Sequence, residues 1–481
     1  MSQARNVDVA IIGGGTAGMV AWRQARKHTD SVVLIEAERF GTTCARVGCM
    51  PSKLLIAAAE AAHQSAHARR FGIETGPVKI NGPAVMARVR RHRDRFVNGV
   101  LKTIENIPEA DRLMGRARFL DRHLLDIEGL GQVHAERIVI ATGSSSFIPA
   151  PLRSAGSRLI TSDTVFDWKD LPESIAVFGP GVIGLELGQA LARLGVRIRM
   201  FGLGGELGGL RDPEIRKLAL KHFGDEFPLD PDAQVNEIAE TDGGVQISFD
   251  DADGDEATEQ FDWLLATTGR RPNVDGLDLE KAGLKLDERG VPVFDPYTLQ
   301  CGNSPIFIAG DVNNERPLLH EAADEGRIAG ANAGRWPEVQ TGLRRAPISV
   351  VFSDPQIASV GRSIEQVDEH CRGCFSIGSV SFSNQGRSRV MGRARGLLRV
   401  YGEHGSGLFM GAEMLGPAAE HIAHLLAWAV QNRMTVSQML DMPYYHPVIE
   451  EGLRTALHDL NHRLKAGPER PGDCMDCGPG V

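Results

Sequence analysis

Three features of the chain predict an α/β fold. Two are glycine-rich turns, GGGTAG after the apolar run VDVAII and GPGVIG after SIAVF, and each leads into a helical stretch and then a second apolar run. The third is a change of texture after about residue 345, where short strand-like segments and one helix near residues 417–432 replace the earlier pattern. A β-turn-α-β unit of about 30 residues with glycines at the turn is the signature of a nucleotide-binding crossover. The expectation is therefore two dinucleotide-binding (Rossmann-like) domains plus a C-terminal α+β domain.

Taken in order, Gly13, Gly15 and Gly18 fit G-x-G-x-x-G. The first permits the tight turn, the second lets backbone approach a pyrophosphate, and the third lets helix and strand pack closely. Glu36 ends the following strand, where a carboxylate can accept from both ribose hydroxyls, so an adenosine ribose without a 2′-phosphate is expected. Gly179, Gly181 and Gly184 repeat the pattern. There Gly202 stands where the second acid would be, and Arg211 is the next arginine. No basic cluster is present, which favours NAD and leaves NADP open. Residues 81–105, with Arg88, Arg90, Arg91, Arg93 and Arg95, read as a solvated helix face.

Composition narrows the class. With 481 residues the chain is long enough for about three domains. The formal net charge of −9 disfavours wrapping a polyanion, so no nucleic-acid partner is expected. The N-terminus reads straight into a strand-like run and no apolar run reaches about 18 residues, so neither a leader nor a membrane partner is expected and a cytoplasmic location is favoured. Seven cysteines are too sparse for a secreted scaffold, yet six fall into close pairs: Cys44/Cys49, Cys371/Cys374 and Cys474/Cys477. Such pairs point to redox or metal chemistry in a reducing compartment. His421 and His424 beside Glu420 lack a third ligand and read as helix surface; no metal site is expected.

Cys44 and Cys49 lie in GTTCARVGCMPSK, just after the ribose acid. On a regular helix their separation is a rise of about 7.5 Å, beyond the roughly 4.4–6.8 Å of a disulfide's Cα atoms. A bridge needs a local distortion, which Gly48 permits and Pro51 promotes; the alternative is two reduced thiols in a core helix. Near the C-terminus, in YYHPVIEEGLRTAL, Glu451 at a helix start can fold back onto His446. A histidine oriented by a carboxylate is the arrangement that activates a thiol near neutral pH.

On these residues the chain resembles the class I pyridine nucleotide-disulfide oxidoreductases. GTTCARVGCMPSK resembles their redox-active segment, and IVIATGS, TTGRRPN, IFIAGDV, VVFSDPQIASVG and HPVIEE resemble further family segments in family order. Thr42 departs from the glycine usual there. The resemblance implies FAD on the first unit and NAD on the second. It also implies that the C-terminal domain is a dimerisation domain, and that the chain forms a homodimer with shared active sites. The cofactor-binding residues it implies are Gly13, Gly15, Gly18, Glu36, Thr43, Lys53, Thr142, Gly143, Gly310 and Asp311, with Gly179, Gly181, Gly184, Glu186 and Gly269 from or beside the second unit. Cys44 would be the interchange thiol and Cys49 the flavin-side thiol. Lys53 would pair with Glu186 beside the isoalloxazine, and His446 with Glu451 would serve as acid/base. The implied domains are 1–148 and 273–345 (FAD), 149–272 (NAD(P)), 346–466 (dimerisation) and a flexible cysteine-bearing tail, 467–481.

The favoured activity is oxidation of dihydrolipoamide, free or on a lipoyl-domain protein, by NAD. The alternative is NAD(P)H-dependent reduction of a protein disulfide or a metal ion through Cys474/Cys477. A non-enzymatic flavin-holding protein would leave the cysteine pair and His446/Glu451 without a joint purpose.

Overall fold

The structure is a computed structural model and describes residues 4–466. The 467–481 segment, with Cys474 and Cys477, lies outside the described residues.

The first unit comprises β1 (Arg5–Ile12), α1 (Thr16–Ala25), β2 (Val32–Glu36), α2 (Thr43–Arg46), α3 (Cys49–Ala66), α4 (Gly82–Glu105), β3 (Arg112–Met114), β4 (Ala117–Phe119), β5 (Leu124–Ile127) and β6 (Gly131–Ile140). Its sheet runs β3-β2-β1-β6-β5-β4, and a later strand adds to β6. β1 lies between β2 and β6 and is parallel to both. Being covered on both faces, it is apolar on both: Val9 and Ile11 enter one core, Ala10 and Ile12 the other.

Next come β7 (Ser144–Ser146), β8 (Leu159–Thr161), α5 (Ser162–Val165), β9 (Ser174–Phe178), α6 (Val182–Arg193), β10 (Arg197–Phe201), α7 (Pro213–Gly224), β11 (Leu229–Asp230), β12 (Val235–Thr241), β13 (Gly244–Asp250), β14 (Glu256–Phe261) and β15 (Trp263–Ala266). The parallel sheet β11-β10-β9-β15-β8 carries α6 on one face, and the antiparallel meander β12-β13-β14 packs against the other.

The chain returns to the first unit through β16 (Arg270–Pro272), which pairs antiparallel with β7. β17 (Ile306–Ile308) then joins β6, followed by α8 (Leu319–Arg335). α8 lies in backbone contact with α1: a Cβ on Gly326 would meet Ala17 O at 2.3 Å, and one on Gly330 would meet Ala21 O at 2.3 Å. That closeness brings the turn after β17 against the start of α1.

The C-terminal domain contains β18 (Ile348–Val351), β19 (Gln356–Gly361), α9 (Ile364–Cys371), β20 (Phe375–Ser381), α10 (Gly386–Val390), β21 (Leu397–Glu403), β22 (Phe409–Gly416), α11 (Ala419–Gln431), α12 (Val436–Leu440) and α13 (Glu451–Ala466). Its antiparallel sheet, β18-β19-β22-β21-β20, packs against α11 and α13. Every residue of β22 is buried, because its other side faces the second unit, where Leu415 joins that unit's core. The architecture is the expected α/β class. No helix among the described residues is long and apolar enough to cross a membrane.

Candidate active site

Both glycine turns end in a helix whose N-terminus is uncapped. Gly15 precedes α1 and Gly181 precedes α6, both extended and without a side-chain cap. A Cβ on either would meet nothing within 4 Å. The first N–H groups of both helices are thus left for a ligand, and an open glycine face allows it to come close. Glu36 ends β2, and its Oε2 accepts the Gly14 N–H at 2.8 Å. The carboxylate is therefore fixed across the turn.

The cysteine segment is not one distorted helix but two. Thr42 is buried and caps α2 by accepting the Ala45 N–H at 3.1 Å, which accounts for a threonine at this position. Thr43 is exposed at the first position of α2. Val47 and Gly48 break the path, and α3 starts at Cys49. A Cβ on Gly48 would lie 3.2 Å from both Cys44 Cα and Thr43 O, so glycine lets the two short helices close up. Both cysteines are free thiols, with Cys44 half-buried and Cys49 exposed.

Their side chains are hydrogen-bonded, and the sharing is unequal. The bond from Cys44 holds the Cys49 thiol down to about 7, and the Lys53 charge adds to this against the effect of burial. Donating that bond, together with burial, pushes Cys44 well above the usual thiol range. Of the two, Cys49 is the thiolate near neutral pH.

Lys53 lies one turn along α3 and reaches the second unit. Its Nζ is 2.7 Å from Glu186 Oε2 and 2.8 Å from Oε1. Glu186, buried in the first turns of α6, also accepts the Phe352 N–H at 3.0 Å, and Lys53 Nζ stands 4.5 Å from the centre of the Phe352 ring. Three domains thus meet at one carboxylate.

On the other side of the first unit, Gly310 takes a φ of +81° before Asp311. Asp311 Oδ2 accepts from Ser144 Oγ at 2.9 Å, and that hydroxyl in turn accepts from Arg270 Nε at 2.8 Å. Thr142 and Asn273 clasp the crossover, with Thr142 Oγ1 donating to Asn273 O at 2.7 Å and Asn273 Nδ2 to Thr142 O at 3.0 Å. Gly143 and Gly269, both at positive φ, lie beside them with open faces.

His446 is 81% exposed, and its Nδ1 lies 2.9 Å from Glu451 Oε1 at the start of α13. Val448 N–H donates to the other oxygen at 3.2 Å. The histidine beside it holds the Glu451 carboxyl below its usual range. Among the described residues, no hydrogen bond or ion pair joins this couple to Cys44 or Cys49.

Residues 7–326 match the family model for pyridine nucleotide-disulphide oxidoreductase, and residues 348–457 match that of its dimerisation domain. The chain belongs to this family. It is a class I pyridine nucleotide-disulfide oxidoreductase, and so a flavoprotein disulfide oxidoreductase. It is 29% identical over 455 residues to a dihydrolipoyl dehydrogenase of Chlamydia trachomatis, covering 92% of this chain and 94% of that one. It is 32% identical over 460 residues to a mercuric reductase of Streptomyces lividans, covering 93% and 95%. In fold it is similar to LpdA of Mycobacterium tuberculosis, with TM-score 0.79 at 24% identity over 94% of this chain and 99% of that one. The flavoprotein disulfide reductase RclA of Escherichia coli has TM-score 0.78 at 23% identity over 94% and 99%.

The family implies FAD and NAD(P), and this oxidoreductase offers two uncapped helix ends with open glycine faces that fit a pair of dinucleotides. Among the described residues, no group of three His, Cys, Asp or Glu is placed to hold a metal ion. Cys374 is disulfide-bonded, whereas Cys371 beside it is a free, buried thiol. The Phe352 N–H, the Ser144–Arg270 relay and Glu325, which binds Gly310 N, were not visible to sequence reasoning. Ser144, Arg270 and Phe352 lie inside IVIATGS, TTGRRPN and VVFSDPQIASVG, whereas Glu325 lies in none of the quoted segments.

Proposed function

We propose that this oxidoreductase is a homodimeric dihydrolipoamide dehydrogenase. It oxidises dihydrolipoamide, free or carried on a lipoyl domain, with NAD as final acceptor in the reducing cytoplasm. The observation that carries the reading is the placing of Cys44 and Cys49 on two abutting helices, their side chains hydrogen-bonded and Lys53 one turn on and held by Glu186, which makes Cys49 the readier thiolate. The exposed His446–Glu451 couple and the dihydrolipoyl dehydrogenase relatives support it.

In this reading Gly13, Gly15, Gly18, Glu36, Thr43, Lys53, Thr142, Gly143, Gly310 and Asp311 hold FAD. Gly179, Gly181, Gly184, Glu186 and Gly269 serve the nicotinamide side. FAD, when bound, supplies a two-electron relay between the dithiol and the nicotinamide.

The resting enzyme carries a Cys44–Cys49 disulfide. His446 of the partner subunit, oriented by its glutamate, takes a proton from one substrate thiol. The substrate thiolate attacks Cys44 Sγ, the Cys44–Cys49 bond breaks, and its electron pair leaves on Cys49 Sγ. Cys49 holds that pair as a thiolate near neutral pH, steadied by Lys53. The second substrate thiol then attacks the substrate sulfur bonded to Cys44, the Cys44–substrate bond breaks, and the proton of that thiol goes to Cys44 Sγ as Cys44 leaves. The products are a cyclic substrate disulfide, a Cys44 thiol and a Cys49 thiolate, with one proton held on the imidazole.

A second reading is favoured by the mercuric reductase relative. There NAD(P)H supplies the electrons, and Cys474/Cys477 pass them to a metal ion or a protein disulfide. The test is anaerobic mixing of purified protein with dihydrolipoamide and NAD, comparing the intact chain with one truncated after Ala466. Fast, equal turnover that Cys44→Ser abolishes while flavin stays bound supports the first reading. Slow turnover, with NADPH or NADH delivering more electrons to the intact chain than to the truncated one, supports the second.

A further inference from the structure

The turn that carries Asp311 is held by a carboxylate that the scheme above does not use. Glu325 is a fully buried residue of α8. Its Oε2 accepts the Gly310 N–H at 2.7 Å and Asn313 Nδ2 at 2.7 Å, and its Oε1 lies 2.9 Å from Arg344 Nη2. Arg344 lies between α8 and β18, and its side chain is 10% exposed. It donates to Pro296 O at 3.2 Å, Glu321 Oε2 at 3.3 Å and Glu315 Oε2 at 3.4 Å, while Glu325 Oε1 takes no hydrogen bond among the described residues and meets Arg344 through charge alone.

A buried ion pair is a weak device for stability alone, because the cost of taking both charges out of water offsets their attraction. What this pair does that an apolar pair cannot is hold a backbone N–H and an amide in one turn. That turn has little room to choose its own shape. Gly310 is at positive φ, and a Cβ there would meet Ala17 of α1 at 3.0 Å and Ala322 of α8 at 3.4 Å. With its N–H committed to Glu325, Gly310 leads directly into Asp311, whose carboxylate is set by Ser144 and, behind it, Arg270.

We propose that Glu325, charge-paired with Arg344, is a positioning residue for flavin binding. Its ionised carboxylate fixes the Gly310–Asn313 turn so that Asp311 is presented to the ribityl hydroxyls of FAD. This rests on the reading of Asp311 given under Proposed function.

FAD affinity then follows the ionisation of Glu325. Burial pushes this carboxyl up to about 7, opposed by the Gly310 N–H, Arg344 and Asn313 and assisted by Glu315. The charged groups that act on it are Arg344, from the segment after α8, and Glu315, from the turn; Arg344 is shared with Glu315 and Glu321, while Arg316 pairs with Glu321 and Arg345 with Asp324. From α1 the uncharged Ala17 faces Gly310 in the same turn. As pH falls through about 7 the acceptor is protonated and FAD binding weakens, by up to about tenfold per pH unit for one linked proton.

The experiment is titration of full-length, flavin-free protein with FAD, followed by flavin fluorescence on either side of neutral pH. It compares the parent with Glu325→Gln, Arg344→Gln and Asp311→Ala, with the melting temperature of each flavin-free protein alongside. Glu325→Gln is expected to weaken FAD binding about tenfold or more and to lose the pH dependence, with any fall in the flavin-free melting temperature from leaving Arg344 without this counter-charge read separately. Arg344→Gln is expected to move the pH midpoint upward.

If Asp311→Ala weakens binding while Glu325→Gln keeps the parent's affinity and pH profile, the positioning role is overturned and the Asp311 reading stands. If Asp311→Ala binds as tightly as the parent, both fall. A lower melting temperature for Glu325→Gln with an unchanged pH slope means a structural role only and also overturns the proposal. Should Glu325→Gln not fold, the Arg344→Gln profile decides: an upward midpoint supports the proposal and an unmoved one sinks it.

Discussion

At the first glycine turn a Cβ on Gly13 would lie 2.2 Å from Ala141 O, and at the second a Cβ on Gly179 would lie 2.5 Å from Thr267 O. One on Gly18 would lie 1.8 Å from Gly13 O, and one on Gly184 would lie 2.0 Å from Gly179 O. Gly13 N donates to Ile35 O at 2.7 Å, and Gly179 N to Phe201 O at 2.8 Å. The backbones are near copies, yet the strand ends differ. Glu36 reaches back to the first turn, while Gly202 is roofed by the chain after β11, where a Cβ would lie 2.4 Å from Pro231 O. Gly202 N donates to Asp230 O at 2.7 Å, and Ala233 N donates to Gly202 O at 3.1 Å. The close approach of helix and strand is common to both units, whereas a strand-end carboxylate that reaches back to the glycine turn belongs to the first alone. The second unit closes that edge with backbone instead.

The sharpest way to break the likeness is to fill the third glycine of each turn. Gly18→Ala and Gly184→Ala each drive a methyl into a backbone oxygen, which no rotamer change relieves, at a cost of about 3 kcal/mol or more. Gly18→Ala is expected to yield protein without flavin. Gly184→Ala is expected to keep flavin and lose reduction by NADH, both read from visible absorption. A colourless Gly184→Ala protein would show that the two units are not separable.

The unlike edges give the next two effects. Glu36→Ala removes a charged acceptor and is expected to weaken FAD binding about a hundredfold, leaving the Michaelis constant for NADH unchanged. Titration of flavin-free protein checks this. Gly202→Asp, which by motif logic would install a preference for NAD, is expected instead to cost about 1–3 kcal/mol of stability through the clash with Pro231. The NADH to NADPH ratio of kcat/KM should stay flat. A ratio that rises would mean that the chain after β11 yields easily.

What the sequence made legible follows the same division. Each glycine turn, the acid at Glu36 and the close spacing of His446 and Glu451 are local patterns, readable within one crossover or one helix start. The two-helix break at Gly48 was only half legible: a distortion was expected, but the capping by Thr42 that begins α2 was not. Contacts made by domain packing left no local trace. Lys53 and Glu186 are 133 positions apart and Phe352 is 166 beyond Glu186; their meeting depends on how α3, α6 and β18 assemble, so only the family resemblance suggested the first pair. Glu325 is one acid among several in LHEAADEGR, and nothing in that stretch reports that its carboxylate is buried against the turn of Gly310.

The Lys53–Glu186 pair is one of the contacts between the two units, and replacing Lys53 tests whether that contact tunes the thiols or only ties the domains together. Lys53 lowers the Cys49 pKa, whereas Glu186 raises it. In Lys53→Met, Glu186 would keep the Phe352 N–H but lose its counter-charge, so both changes push Cys49 upward. A depressed thiol is ionised above its pKa, so the parent's Cys49 gains reactivity as pH rises through about 7. In Lys53→Met that midpoint is expected to climb by about one unit, and alkylation at neutral pH to slow about tenfold. Cys44, pushed above the usual thiol range by its bond to Cys49 and by burial, should stay unlabelled in both proteins. Timed iodoacetamide labelling of reduced protein, with each cysteine located by peptide mapping, reads the two sites separately. Glu186→Gln should move the Cys49 midpoint the opposite way. If neither variant moves it, the Cys44 hydrogen bond alone sets the thiolate, and the contact between the units ties the domains without tuning the chemistry.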